Sequence, residues 1–125
     1  MDKKTHIIET AIELFAEKGF EGTSIRDLAT KADVNVAMIN YYFGSKEKLF
    51  EEMVEFKAAY MKDRLEELLN DQHLTPIEKV NKVVEEYVNR IFSKPAFHRI
   101  LYREMLLNMR PEMHKVISTI FAANF

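Results

Sequence analysis

The sequence predicts an all-α protein, a three-helix helix-turn-helix domain followed by a second helical domain, and three observations lead there. Glycine and proline number only three each in 125 residues, so little interrupts helix propagation. Apolar residues recur at the spacing of one helical face in successive runs, and no stretch shows the strict alternation of a half-buried strand. The runs are bounded by start and stop signals, of which Ser24-Ile25-Arg26-Asp27, Gly44-Ser45 and Thr75-Pro76-Ile77-Glu78 are the clearest.

The first helix runs from about Lys4 to Lys18, with Ile8, Ala11, Ile12 and Phe15 on one face. Gly19 stops it in a left-handed position, and Phe20 folds back on the last turn. Ser24 and Asp27 form a capping-box-like start for a second helix ending near Lys31. Asp33-Val34-Asn35 makes a turn, Asn35 caps a third helix, and Gly44 ends it before Ser45 caps a longer fourth. The fourth reaches about Asn70, with Leu49, Met53, Phe56, Tyr60 and Leu68 along its inner side. Thr75, Pro76 and Glu78 start a fifth helix that ends near Phe92. Pro95 and Pro111 open two more, near 95–109 and 111–125, and the last keeps its apolar face to the final residue. The Gly44-Ser45 corner is the expected domain boundary, dividing residues 1–45 from 46–125.

Composition excludes several classes. Hydrophobic residues make up 47% and charged ones 30%, which is globular rather than disordered. Cysteine is absent, so there is no disulfide framework and no thiolate chemistry. No apolar run approaches the roughly 18 residues of a membrane span, and "MDKKTH" does not lead into a signal-peptide core, so a cytoplasmic location is expected. His6, His73, His98 and His114 lack metal-ligand spacing, no Ser-His-Asp set or glycine-rich phosphate loop stands out, and neither an enzyme, a cofactor nor a metal is expected. The net charge is −2, so any reading of nucleic acid has to rest on local geometry.

That geometry is concentrated in "DVNVAMINYYFGSKE", residues 33–47. Leu28, Ala29 and Ala32 put small or apolar groups where the second helix meets the third, Val34 plugs the turn, and Ile39 with Phe43 supplies the inner face. Ala37, Met38, Asn40 and Tyr41 lie on the other face, with Val36 at the tip and Tyr42 at the flank. A helix that enters the major groove needs a small tip near base edges, donors at its sides and no carboxylates. Residues 34–46 contain no Asp or Glu. Asn40, Tyr41 and Tyr42 can donate to phosphate oxygens, Lys46 brings a charge, and Ser24 with its helix amino end offers another phosphate site. Between residues 23 and 48 four cations face three carboxylates, a weak electrostatic footprint.

Residues 19–50, "GFEGTSIRDLATKADVNVAMINYYFGSKEKLF", resemble the tetracycline-repressor (TetR) family of bacterial transcription regulators. The shared features are glycine-aromatic, threonine-serine, the leucine-alanine pair, the valine turn, tyrosine before phenylalanine, and serine-lysine-glutamate. Asp33 stands where the family usually has glycine. The resemblance implies base contacts from Val36, Ala37, Met38 and Arg26, phosphate contacts from Ser24, Asn40, Tyr41, Tyr42 and Lys46, and a homodimer on a near-palindromic double-stranded operator. A small-molecule effector is implied to relieve repression by tilting the fourth helix. The resemblance also implies two further C-terminal helices that form a dimer interface, beyond the seven expected from residues 1–125.

If a pocket lies among the fourth to seventh helices, Phe56, Tyr60, Tyr87 and Phe92 are candidate lining, with Phe97, Tyr102, Met105 and Met109. At each position such a residue is more often core than lining. "HRILYREMLLNMR" sets His98, Arg99, Arg103 and Arg110 among apolar residues, either an ordinary amphipathic helix or a receptor for an anionic effector. The alternative to a DNA-binding repressor is a helical interaction or ligand-carrier protein that has kept the fold.

Overall fold

The computed structural model describes residues 2–107 and 111–124, which form α1 (Lys3–Lys18), α2 (Ile25–Ala32), α3 (Val36–Phe43), α4 (Lys46–Leu69), α5 (Pro76–Ser93), α6 (Ala96–Leu107) and α7 (Pro111–Asn124). Among these residues there is no strand. The starts follow side-chain chemistry. Asp2, Asn35 and Ser45 each accept from a first-turn amide, and Ser24 with Asp27 and Thr75 with Glu78 make reciprocal capping boxes.

Gly19 stops α1 with φ 80° and ψ 168°, a positive-φ extended conformation open essentially to glycine alone rather than the left-handed helical one the sequence suggested. Phe20 then folds back so that its ring sits 5.6 Å from Phe15 and 5.5 Å from Phe50. These rings join α1, the turn and the first part of α4.

One buried cluster runs from Ile7 on α1 to Ile120 on α7, taking in Leu28, Ala29, Ile39 and Phe43. The helix-turn-helix and the body beyond residue 45 therefore share a core. On α4 the buried residues are Leu49, Phe50, Met53, Val54, Ala58 and Leu68, and the expected inner residue Tyr60 is exposed. α5 has no buried residue, and its Ile77, Val80, Val84 and Phe92 face outward. Among the described residues no helix is long and apolar enough to cross a membrane.

Candidate nucleic-acid interface and effector cavity

The α2–α3 turn depends on Asp33, which sits at φ 56° and ψ 48° in the left-handed region. A non-glycine residue bears a cost there that Asp keeps small. Its backbone N–H donates to Ala29 and Thr30 carbonyls, closing α2. Asn35 Oδ1 then accepts from the Met38 N–H at 2.7 Å and starts α3 in a new direction. Leu28, Ala29 and Ala32 are buried beneath Ile39 and Phe43, so the crossing rests on small side chains as expected.

This leaves one face of α3 free. Ala37, Asn40 and Tyr41 are exposed, Tyr41 by 84%, and Val36 at the tip by 39%. Met38 and Tyr42, both expected to meet nucleic acid, are half-buried and packed against the core, so only part of each is free to do so. The Tyr41 and Tyr42 rings meet edge-on at 5.4 Å. Arg26 is exposed, and no carboxylate pairs with it among the described residues.

Ser24 is exposed, but both of its polar groups are in use. Its hydroxyl accepts from Asp27 N–H at 3.0 Å, and its own N–H donates to Asp27 Oδ2 at 3.1 Å. The Ser24 backbone and then its hydroxyl hold the Asp27 carboxyl below its ordinary value. A carboxylate thus lies at the α2 amino end, and the phosphate site expected there is reduced to the hydroxyl proton of Ser24.

Lys46 departs most from expectation. Its Nζ donates to Phe20 O at 2.8 Å and to Thr23 O at 3.1 Å, and lies 4.3 Å from the centre of the Phe20 ring. Two of its three donors thus tie the start of α4 to the α1–α2 turn instead of standing free for phosphate. Sequence reading missed two neighbours in this arrangement. Thr23 is fully buried, with its hydroxyl donating to Gly19 O at 2.8 Å and reaching Leu14 O at 3.3 Å. Arg103 of α6 donates to Phe15 O at 3.0 Å and Ala16 O at 3.1 Å. Last-turn carbonyls of α1 and those of the turn are thus met by donors from three directions, as the negative end of a helix favours.

A second site opens in the body. A cavity of about 290 Å³ lies between α4, α5, α6 and α7, walled by Met61, Leu65 and Leu68 of α4, Val83 and Tyr87 of α5, Leu101 of α6 and Phe121 of α7. Its polar margin is Arg64, Glu86, Arg90 and His98. Arg64 is held by Glu86, to which Nε donates at 2.8 Å and Nη2 also donates, and by Glu67 at 2.7 Å. That pairing raises the Arg64 pKa and holds Glu86 below its usual value.

Of the aromatic and methionine residues expected around a pocket, Tyr87 alone among the described residues lines this cavity. Phe97 is buried in the core and Phe56 packs against it. Tyr60, Phe92, Tyr102 and Met105 point to solvent, Phe92 with 82% of its surface exposed. Their helical spacing was real, but on α5 and α6 it marks an outer stripe as well as an inner one. Met109 and Arg110 lie outside the described residues. Among the described residues no group of three or more His, Asp or Glu is arranged to hold a metal ion.

Residues 7–53 match the model of the family described as bacterial regulatory proteins, tetR family. Over 106 residues, 84% of this chain, the sequence is 38% identical to the Bacillus subtilis (strain 168) protein named "Probable HTH-type transcriptional regulator YttP", and covers 51% of it. It is 37% identical over 108 residues to the HTH-type transcriptional repressor NicS of Pseudomonas putida, covering 82% of this chain and 48% of that protein. The chain thus spans about half the length of these relatives. Among solved structures, HlyIIR, a hemolysin II transcriptional regulator, superposes with a TM-score of 0.76 at 28% identity, over 98% of this chain and 66% of that one. The fatty acid degradation regulator FadR from Bacillus halodurans gives 0.83 at 20% identity, over 98% and 61%, a likeness of fold alone.

Proposed function

We propose that the chain is a member of the tetR family of bacterial regulatory proteins and, on that premise, a cytoplasmic DNA-binding transcriptional repressor, a regulator rather than an enzyme. DNA reading is assigned to residues 1–45 and effector response to 46–125. As a homodimer it holds a near-palindromic operator with α3 of each copy in the major groove, and a small molecule in the body releases it.

The observation that carries this reading is the free face of α3. Val36, Ala37, Asn40 and Tyr41 stand clear of the core on a helix whose surroundings, residues 34–46, hold no carboxylate. Val36 and Ala37 meet base edges, where apolar contact with thymine methyl groups suits them, and the exposed part of Met38 extends that contact. Arg26 reaches a base from α2. Asn40, Tyr41, the Tyr42 hydroxyl and the Ser24 hydroxyl hold phosphates, while Lys46 fastens the start of α4 to the α1–α2 turn beside them. So few polar groups at the tip leave much of the sequence preference to duplex shape.

Selection from random duplexes by the purified protein, followed by sequencing, tests the reading. Enrichment of an inverted repeat is expected. Failure to enrich any sequence, with binding to no duplex at low salt, would overturn it in favour of a helical interaction or carrier protein.

A further inference from the structure

The wall of the α4–α7 cavity contains a buried polar atom that the protein leaves unmatched. His98 is 6% exposed and lines the cavity, and its Nε2 has no hydrogen-bond partner. Such atoms are rare in folded proteins because water or a neighbour normally satisfies them. The imidazole is fixed from one side by Tyr87, whose ring meets it edge-on at 5.6 Å. Burial, then the charges of Arg90 and Lys57, push its pKa down, so the ring is neutral near pH 7 and presents either a donor or an acceptor at Nε2.

The second cation of the cavity margin, Arg90, lies within electrostatic reach of Glu86 but makes no salt bridge among the described residues. Arg64 is neutralised by Glu86 and Glu67, but Arg90 pairs with no carboxylate among the described residues and instead rests 5.5 Å from the centre of the Tyr60 ring. A half-buried guanidinium on the same margin as an unmatched imidazole selects an anion that can take hydrogen bonds from both, and it disfavours a cationic ligand. The remainder of the wall is hydrocarbon and aromatic, from Met61, Leu65, Leu68, Leu101 and Phe121. The volume, about 290 Å³, is at the small end of ligand pockets.

We propose that this cavity receives a small amphipathic carboxylic acid, its carboxylate between His98 and Arg90 and its apolar part against α4, α6 and α7. The assignment rests on the reading of the protein as effector-responsive for its biological role, although binding itself does not require DNA. On binding, the Nε2–H tautomer of His98 donates to one carboxylate oxygen and Arg90 to the other, and no proton or electron need be exchanged.

Titration of the protein with octanoate, octan-1-ol and octylamine tests this, because the three probes share a tail and differ in the head. Octanoate is expected to bind about tenfold or more tightly than either of the others. Arg90→Gln should bring octanoate down to the level of octan-1-ol while leaving octan-1-ol unchanged, whereas a merely structural arginine would weaken both. His98→Leu should weaken octanoate about tenfold, and His98→Gln, which keeps a donor, should recover part of the loss. Thermal melts identify any variant that fails to fold, and the probe comparison on the unaltered protein stands without them. Equal binding of the three probes, or no binding of octanoate, overturns the proposal. Octanoate binding that leaves affinity for the selected duplex unchanged supports the cavity assignment and overturns the effector reading instead.

Discussion

Replacing Lys46 by methionine separates two tasks that the sequence could not tell apart. Methionine keeps an apolar stem over Phe20 but removes the ammonium that donates to Phe20 O at 2.8 Å and Thr23 O at 3.1 Å. Hydrogen bonds to a charged group contribute about 1.5–3 kcal/mol each. The site is only part-buried, so water replaces much of what is lost, and we expect a total near 2 kcal/mol. At the unfolding entropy of a domain this size, about 4 °C per kcal/mol, the melting temperature should fall by about 8 °C. Circular dichroism melts measure it. The same variant is then titrated with the selected duplex over a salt series, where loss of one phosphate contact would flatten the slope of log K against log salt by about 0.9. An ammonium committed to the turn predicts the lower melting temperature with the slope unchanged. An unchanged melting temperature with a flattened slope would refute the structural assignment and restore Lys46 to the phosphates.

Three other outcomes follow from the site. Tyr41→Phe removes a hydroxyl from an exposed ring, so stability should stay within about 0.5 kcal/mol while affinity for all duplexes falls alike; a change in sequence preference would contradict the phosphate role. Asp33→Gly relieves a left-handed aspartate at about the entropic cost that glycine adds, so stability should change by less than about 1 kcal/mol, and loss of a carboxylate beside α3 should raise duplex affinity; weaker binding would mean that the carboxylate supports the turn. His98 has a folded pKa below its ordinary value, so the unfolded chain binds the proton first as pH falls. Its contribution to stability is complete above the ordinary histidine pKa near 6.5 and is lost as pH falls from there through the lowered value. A melting temperature that declines over this window in the native protein but not in His98→Leu is expected, and equal declines in both would remove His98 as the cause.

How far the sequence could be read depended on range. Caps at Asn35, Ser45 and Thr75 act within three residues, so composition and spacing located them. The small residues at Ala29 and Ala32 identified the helix crossing for the same reason, since the turn between them and α3 is short. The bonds of Lys46 were not legible because its partners, the carbonyls of Phe20 and Thr23, lie 26 and 23 residues away and are backbone atoms, which no side-chain pattern reveals. Arg103 is the extreme case, with its acceptors on Phe15 and Ala16 at 88 and 87 residues. The cavity was misplaced for a different reason. Aromatic residues suggested lining, yet Phe92 and Tyr102 face outward and Phe97 fills core, while leucines and a buried histidine form the wall. Hydrophobicity says that a side chain avoids water and does not say which neighbour covers it.

The position of α6 ties the two sites together. His98 and Arg103 are five residues apart, which on a helix is about 7.5 Å of rise and about 140° of rotation. One therefore faces the cavity while the other reaches the carboxyl end of α1, and the helix between them is one rigid element. The guanidinium holds Phe15 O at 3.0 Å and Ala16 O at 3.1 Å, distances with only a few tenths of an ångström to spare before the bonds weaken. A ligand that displaced α6 by as much as about 1 Å would break this grip unless α1 moved with it. Because α1 shares its core with α2, α3 and the start of α4, such a movement cannot stay local. Lys46 makes the constraint stricter by fastening α4 to the turn that follows α1, so two cations and a set of backbone carbonyls join the body to the carboxyl end of α1.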